Sequence, residues 1–203
     1  MKNSCREYFA DLQDCFSKIE ARSGDGHKLD FEKALGQAVD WIAKVKAANK
    51  KVMFIGNGAS ASIASHQAVD LWKNGGVRAT AFNDAALLTC ISNDFGYEHV
   101  FEKPMEMFAN EGDVLIAISS SGQSENILRA VEAAKAKRCH VLTLSGFKPD
   151  NPLSCLGHLN FYVPSGSYGP VEIAHLTICH YLSDRMVAMK QADLPKTAAG
   201  ASK

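Results

Sequence analysis

Apolar residues recur at intervals of three and four in two early stretches, residues 4–21 (Tyr8, Phe9, Leu12, Phe16, Ile19) and 30–48 (Leu35, Ala38, Val39, Ile42, Val45). That spacing lines one face of a helix, and the run SGDGHK between the stretches breaks it, so two amphipathic helices are predicted ahead of the core. Downstream the period changes. Short β-rich runs, VMFI at 52–55, RATAF at 78–82, VLIAI at 114–118, VLTL at 141–144 and LNFYV at 159–163, alternate with helix-length segments. Continuous apolar strands spaced in this way predict a parallel sheet with helices on both faces. The last long segment, Glu172 to Lys190, is apolar around most of its circumference, which predicts a helix covered on all sides, in part by another subunit. The expected fold is α/β, a three-layer doubly wound parallel sheet of about five strands with N-terminal helices. The division read from the pattern is a helical extension over 1–48 that packs on the core and in the oligomer, one domain over 49–192, and a disordered tail over 193–203 without apolar periodicity.

Composition narrows the ligand class. The 203-residue chain is 46% hydrophobic, and its 22 basic and 22 acidic residues cancel without forming a basic run. Neither nucleic acid nor an anionic membrane surface is an expected partner; a small molecule is. The start, MKNSCREYFADLQD, lacks a signal-peptide pattern and no long apolar run follows, so a cytoplasmic location is expected. Six cysteines (5, 15, 90, 139, 155 and 179) form no C-x-x-C pair, and most are expected to be buried thiols.

Two strand-to-helix turns have the chemistry to hold an anion. Gly56-Asn57-Gly58-Ala59-Ser60 follows the first parallel strand, and Ser119-Ser120-Ser121-Gly122-Gln123-Ser124 follows the third and opens the helix ENILRAVEAAKAK. Glycines admit close backbone approach, hydroxyls donate, and a helix N-terminus favours negative charge, a combination suited to a phosphate monoester. Gly56, Gly58 and Ala61 also satisfy the dinucleotide pattern G-x-G-x-x-A, with Asp84 as a late acidic partner, but that reading leaves SSSGQS without a role. No nucleotide cofactor is expected.

GNGAS, NDFG (Asn93 to Gly96), AISSSGQSENI and the histidines of PVEIAHLTICHYL together resemble the sugar isomerase (SIS) domain family, and within it the phosphoheptose isomerases, over residues 35–190. The resemblance implies a homotetramer with active sites between subunits. It also implies interconversion of sedoheptulose 7-phosphate and D-glycero-D-manno-heptose 7-phosphate, a step toward surface polysaccharide.

Such an isomerisation passes through an enediol and needs one group to take a proton from carbon and another to manage protons on oxygen. His66 and Asp70 are four residues apart and share a helix face. By resemblance Asp70 falls at the family's catalytic glutamate and His180 at a histidine that shares the proton transfer. His66, Asp70, Glu172 and His180 correspond to a set that can hold one zinc ion per active site. Asp94, Ser60, Ser119, Ser121 and Ser124 fall at substrate contacts, to which the same motifs add Asn57, Gly58, Asn93 and Ser120, with Glu172 beside them.

Three positions depart from the family. Asp70 is one methylene shorter than a glutamate, and a carboxylate displaced by about 1 Å can lose about a hundredfold in rate. Glu172 replaces a glutamine, and Gly169 stands at an acidic substrate contact. Glu172 and His180 are also separated by about 12 Å along an ideal helix, so they reach one ion only if the helix starts late or two subunits share the site. His175 and Cys179 form an alternative pair of ligands. Trp41 and Trp72 are expected to pack, and His99 and His140 to face solvent. The alternative function is a non-catalytic SIS module that binds a phosphosugar or a protein, with structural histidines.

Overall fold

The computed structural model describes residues 4–192; positions 193–203, expected as a tail, lie outside the described residues. Helix α1 (Cys5–Ser17) starts where the Ser4 hydroxyl accepts a hydrogen bond from Glu7 N, and α2 (Phe31–Ala47) where the Asp30 carboxylate accepts from Lys33 N. These caps satisfy backbone donors that have no partner within the helix. Next come β3 (Val52–Gly56), α3 (Ala59–Asp70), a π-helical turn over Leu71–Gly75, β4 (Ala79–Ala81), α4 (Ala85–Phe95), α5 (Glu102–Phe108), β5 (Val114–Ser119), α6 (Glu125–Ala136), β6 (His140–Ser145), β7 (Leu159–Tyr162) and α7 (Tyr168–Ala192).

The five expected strands form one parallel sheet in the order β7-β6-β5-β3-β4. Alternation along each strand sorts the core into two layers. Phe54, Ile116 and Ile118 point to the side of α2, α3 and α7, where Ile42, Ala64, Ala68, Ile178 and Leu182 meet them. Met53, Ile55, Leu115 and Ala117 point to the other side, against Met105, Ile127, Ala130 and Val131 of α5 and α6. The doubly wound architecture therefore stands as expected.

One early element differs. The helix predicted over 4–21 stops at Ser17, and Glu20–Ser23 forms β1, which turns back into β2 (Lys28–Leu29) through Gly26 at φ +84°. Strand β1 runs antiparallel to β7, pairing Glu20 with Tyr162 and Ser23 with Leu159, and widens the sheet to seven strands. Arg22 lies 4.3 Å over the Tyr162 ring and fastens the hairpin. The breaker run SGDGHK is thus a hairpin turn. With only Ala21 buried, β1 carries no period of its own, and its pairing with a strand far along the chain decides its conformation. The segment expected as a helical extension accordingly supplies two strands of the sheet and α2 of one layer.

Trp41 is buried and stacks on His140 at 4.9 Å, whereas Trp72, expected to pack, is 54% exposed. Cys15, Cys139 and Cys179 are buried and Cys5, Cys90 and Cys155 exposed, so half rather than most of the thiols are interior.

Candidate active site

The carboxyl ends of β3 and β5 bring the two glycine- and serine-rich turns together around a cavity of about 320 Å³. Its lining includes Asn57, Gly58, Ser60, Ser119, Ser120, Ser121 and Ser124 from the turns, with Tyr168 and Glu172 from the first turns of α7. This is where a doubly wound sheet places ligands. Gly58 holds φ +55° and ψ −122°, a conformation disfavoured for a residue with a Cβ. At Gly56 a Cβ would lie 2.6 Å from the Ser60 backbone, so the first turn of α3 can close only over glycine.

Helices α1, α2 and α4 have side-chain caps, that of α4 being Asp84, which accepts from Ala86 N and Leu87 N. Asp84, the late acidic residue of the dinucleotide pattern, is thus the N-cap of α4. Helices α3 and α6, which start at the cavity, have no side-chain cap. Their N-terminal donors are the ones an anion in the cavity would satisfy. Ser124 sits 3.5 Å from the Ser119 hydroxyl, and Ser119 Oγ accepts from Gly122 N.

Further along α3 and α7 a second group of polar side chains converges. Asp70 Oδ2 lies 3.3 Å from His66 Nε2 and 3.7 Å from His180 Nδ1, and the two imidazoles meet edge to face at 5.4 Å. One ligand atom from each of these three residues falls within 4.8 Å of the others. Asn74, in the π-helical turn, donates to Asp70 Oδ1 at 3.2 Å. Small residues on α3, Ala64 and Ala68, allow close packing on α7, and the buried Ser183 hydroxyl donates to Gln67 Oε1 at 3.1 Å across the two helices. Gln67 was not foreseen from the sequence. Its place between His66 and Asp70 on the helix is the only hint, because its partner is 116 residues away.

Among the described residues, His66, Asp70 and His180 are the one group of three or more such side chains that can share an ion. Glu172, expected both beside the substrate and in the metal set, lines the serine cavity within one chain. The helix does not start late: α7 begins at Tyr168, so Glu172 and His180 stand on one continuous helix about 12 Å apart along its axis. His175 and Cys179 are fully enclosed, the imidazole donating through Nε2 to Ser145 O at 3.1 Å. Burial lowers the His175 pKa to about 4 and raises that of the Cys179 thiol to about 12, so both are neutral interior groups.

Asn93 and Asp94 stand exposed on the last turn of α4, outside the cavity lining, where Asn93 Nδ2 donates to Asp94 Oδ1. The segment reaches a residue of the cavity lining through Tyr97, whose hydroxyl donates to Asn57 Oδ1 at 3.0 Å. At Gly169 a Cβ would meet the Tyr8 hydroxyl at 3.1 Å, so α1 closes over this position. His99 is partly buried beside Glu102, and His140 is exposed on one side while stacked on Trp41.

The SIS domain family matches residues 7–146. Phosphoheptose isomerase of Edwardsiella ictaluri is 38% identical over 155 residues, which cover 73% of this chain and 80% of that protein. In three dimensions, a phosphoheptose isomerase from Francisella tularensis superposes with a TM-score of 0.79 at 27% identity, over 93% of this chain and 100% of the other. The phosphoheptose isomerase from Neisseria gonorrhoeae gives 0.76 at 28% identity, over 89% and 96%. A serine-lined cavity at the sheet's carboxyl edge, a carboxylate held between two imidazoles, and likeness over most of the chain lead to one assignment: the chain belongs to the SIS domain family and, within it, to the phosphoheptose isomerases.

Proposed function

We propose that this protein is an aldose-ketose isomerase that converts sedoheptulose 7-phosphate to D-glycero-D-manno-heptose 7-phosphate through an enediol. The observation that carries the reading is the pairing of Asp70 with His66 and His180 in a fold whose serine turns line a cavity of about 320 Å³. The turns and the uncapped ends of α3 and α6 take the phosphate. Asp70 removes a proton from carbon 1 while the oxygen on carbon 2 gains one, which gives the enediol. The proton then returns to carbon 2 as the hydroxyl on carbon 1 gives up its own, leaving an aldehyde. His180 moves the protons on oxygen, and no atom is gained or lost overall.

Two imidazole nitrogens and a carboxylate oxygen within 4.8 Å of one another fit the donor preference of zinc. When bound, the ion would supply Lewis-acid polarisation of the sugar carbonyl. His66, Asp70 and His180 would hold it, and Glu172 would join them only where copies of the chain meet. A homotetramer with sites between subunits agrees with the exposed Ile173, Tyr181 and Met189 on α7 and with α4, none of whose residues is buried in one chain. The reading extends to a cytoplasmic enzyme of surface-polysaccharide synthesis. Among the described residues no helix is long and apolar enough to cross a membrane.

The test is NMR of the purified protein with sedoheptulose 7-phosphate, before and after chelation and with zinc restored. An aldose signal is expected, lost on chelation and recovered with zinc. Binding without any aldose would overturn the isomerase reading in favour of a phosphosugar-binding module.

A further inference from the structure

Asn126 has no place in the chemistry above, yet it is 3% exposed and lies in the first turn of α6 behind the serine cavity. Its amide pairs reciprocally with that of Asn57. Asn57 Nδ2 donates to Asn126 Oδ1 at 2.9 Å, and Asn126 Nδ2 donates to Asn57 Oδ1 at 3.0 Å. The Tyr97 hydroxyl donates to the same Asn57 oxygen at 3.0 Å. One side chain from the β3-α3 turn, one from the first turn of α6 and one from the segment after α4 therefore meet at a single point.

The hydrogen-bond inventory of Asn57 is decisive. Both lone pairs of its oxygen and one of its two amide hydrogens are used, which leaves one N–H for a ligand in the cavity that Asn57 lines. The pairing also fixes the spacing of the two turns, because a buried amide that loses its partner is left unsatisfied. Beyond this pair the sheet joins turns β3-α3 and β5-α6, at the register Gly56 to Ile118, and a register leaves the loops beyond it free to splay.

We propose that Asn126 is a positioning residue for phosphate recognition: with Tyr97 it clamps Asn57 and holds the Gly56–Ser60 and Ser119–Ser124 turns at the separation that surrounds one phosphate. This rests on the isomerase reading for its substrate but not for its geometry. Asn126 acts on binding of the phosphate, which is the same in ground and transition states, so its loss weakens KM and spares kcat.

The experiment measures turnover of sedoheptulose 7-phosphate and, separately, inorganic phosphate affinity by calorimetry, for full-length Asn126→Ala, Asn57→Ala, the double variant and Tyr97→Phe. Asn126→Ala is expected to raise KM and the phosphate Kd about tenfold with kcat within about threefold of wild type, and Tyr97→Phe to weaken phosphate about threefold. The double variant is expected to lose no more affinity than the worse single one, since both remove one clamp. A folded Asn126→Ala protein with wild-type KM and phosphate affinity overturns the proposal, as does a loss confined to kcat or an additive double variant. Should Asn126→Ala not fold, Tyr97→Phe decides, because that side chain is 54% exposed; unchanged phosphate affinity there overturns the clamp. If the wild type binds phosphate but isomerises nothing, the isomerase reading fails while the phosphate affinities still judge the clamp.

Discussion

Asp70 shows at the residue scale how a short acid is held in place. Asn74 donates to one of its oxygens and two imidazoles face the other. Asp70→Asn keeps the shape and removes the proposed base. Turnover is expected to fall at least about a hundredfold with far-UV circular dichroism and melting temperature unchanged; activity near that of the wild type would remove Asp70 from the role. A second residue-scale expectation concerns stability. Asp113 is 1% exposed and accepts from Lys51 N, Asn110 N and the Lys51 ammonium, itself 19% exposed. Lys51→Met would leave the carboxylate without its counter-charge and is expected to cost about 3 kcal/mol, readable as a lower urea midpoint. At this scale the sequence exposed the reactive residue types and the His66-Asp70 spacing, but not Gln67 or Asn126, whose partners lie far along the chain.

Among the elements, α7 carries the most roles. Its first turns line the cavity, its middle meets α3, and His175 lies enclosed between them. Burial lowers the His175 pKa from 6.5 to about 4. Above pH 6.5 the imidazole is neutral in folded and unfolded chains alike. As the pH falls from 6.5 to about 4, the unfolded chain binds a proton that the folded one does not, and stability declines. The full contribution is about 3 kcal/mol. Urea midpoints at pH 7 and pH 4.5 are expected to differ less for His175→Gln than for the wild type, and an equal difference in both proteins would refute the assignment. The helical character of α7 and its apolar circumference were legible. The place of Glu172 was less so, because one-dimensional spacing puts it on the same helix as His180 without showing that, within one chain, it lines the serine cavity.

Over the whole molecule, the cavity and the His66-Asp70-His180 group occupy different stretches of α3 and α7. If copies of the chain complete one another's sites, mixing two inactive variants should restore turnover. Co-expressed Asp70→Asn and Glu172→Ala chains are expected to recover a fraction of wild-type activity, on the order of one quarter, because some sites in a mixed oligomer then carry neither substitution. No recovery, with mixed oligomers demonstrated by mass spectrometry, would place each site within one chain. The oligomer itself is checked by light scattering, with a mass near four times 22.0 kDa expected.

The parallel strands, the helices that cover them and the two glycine- and serine-rich turns could be read from the sequence alone, because each is written in local periodicity, glycine placement and hydroxyl clustering. Tertiary structure decided the hairpin β1-β2, which has too few buried residues to announce itself and exists through its pairing with β7. It also decided which acid joins which histidine and how Asn126 meets Asn57. Those arrangements depend on where separate helices pack and which buried amides find each other, and such contacts leave no period along the chain.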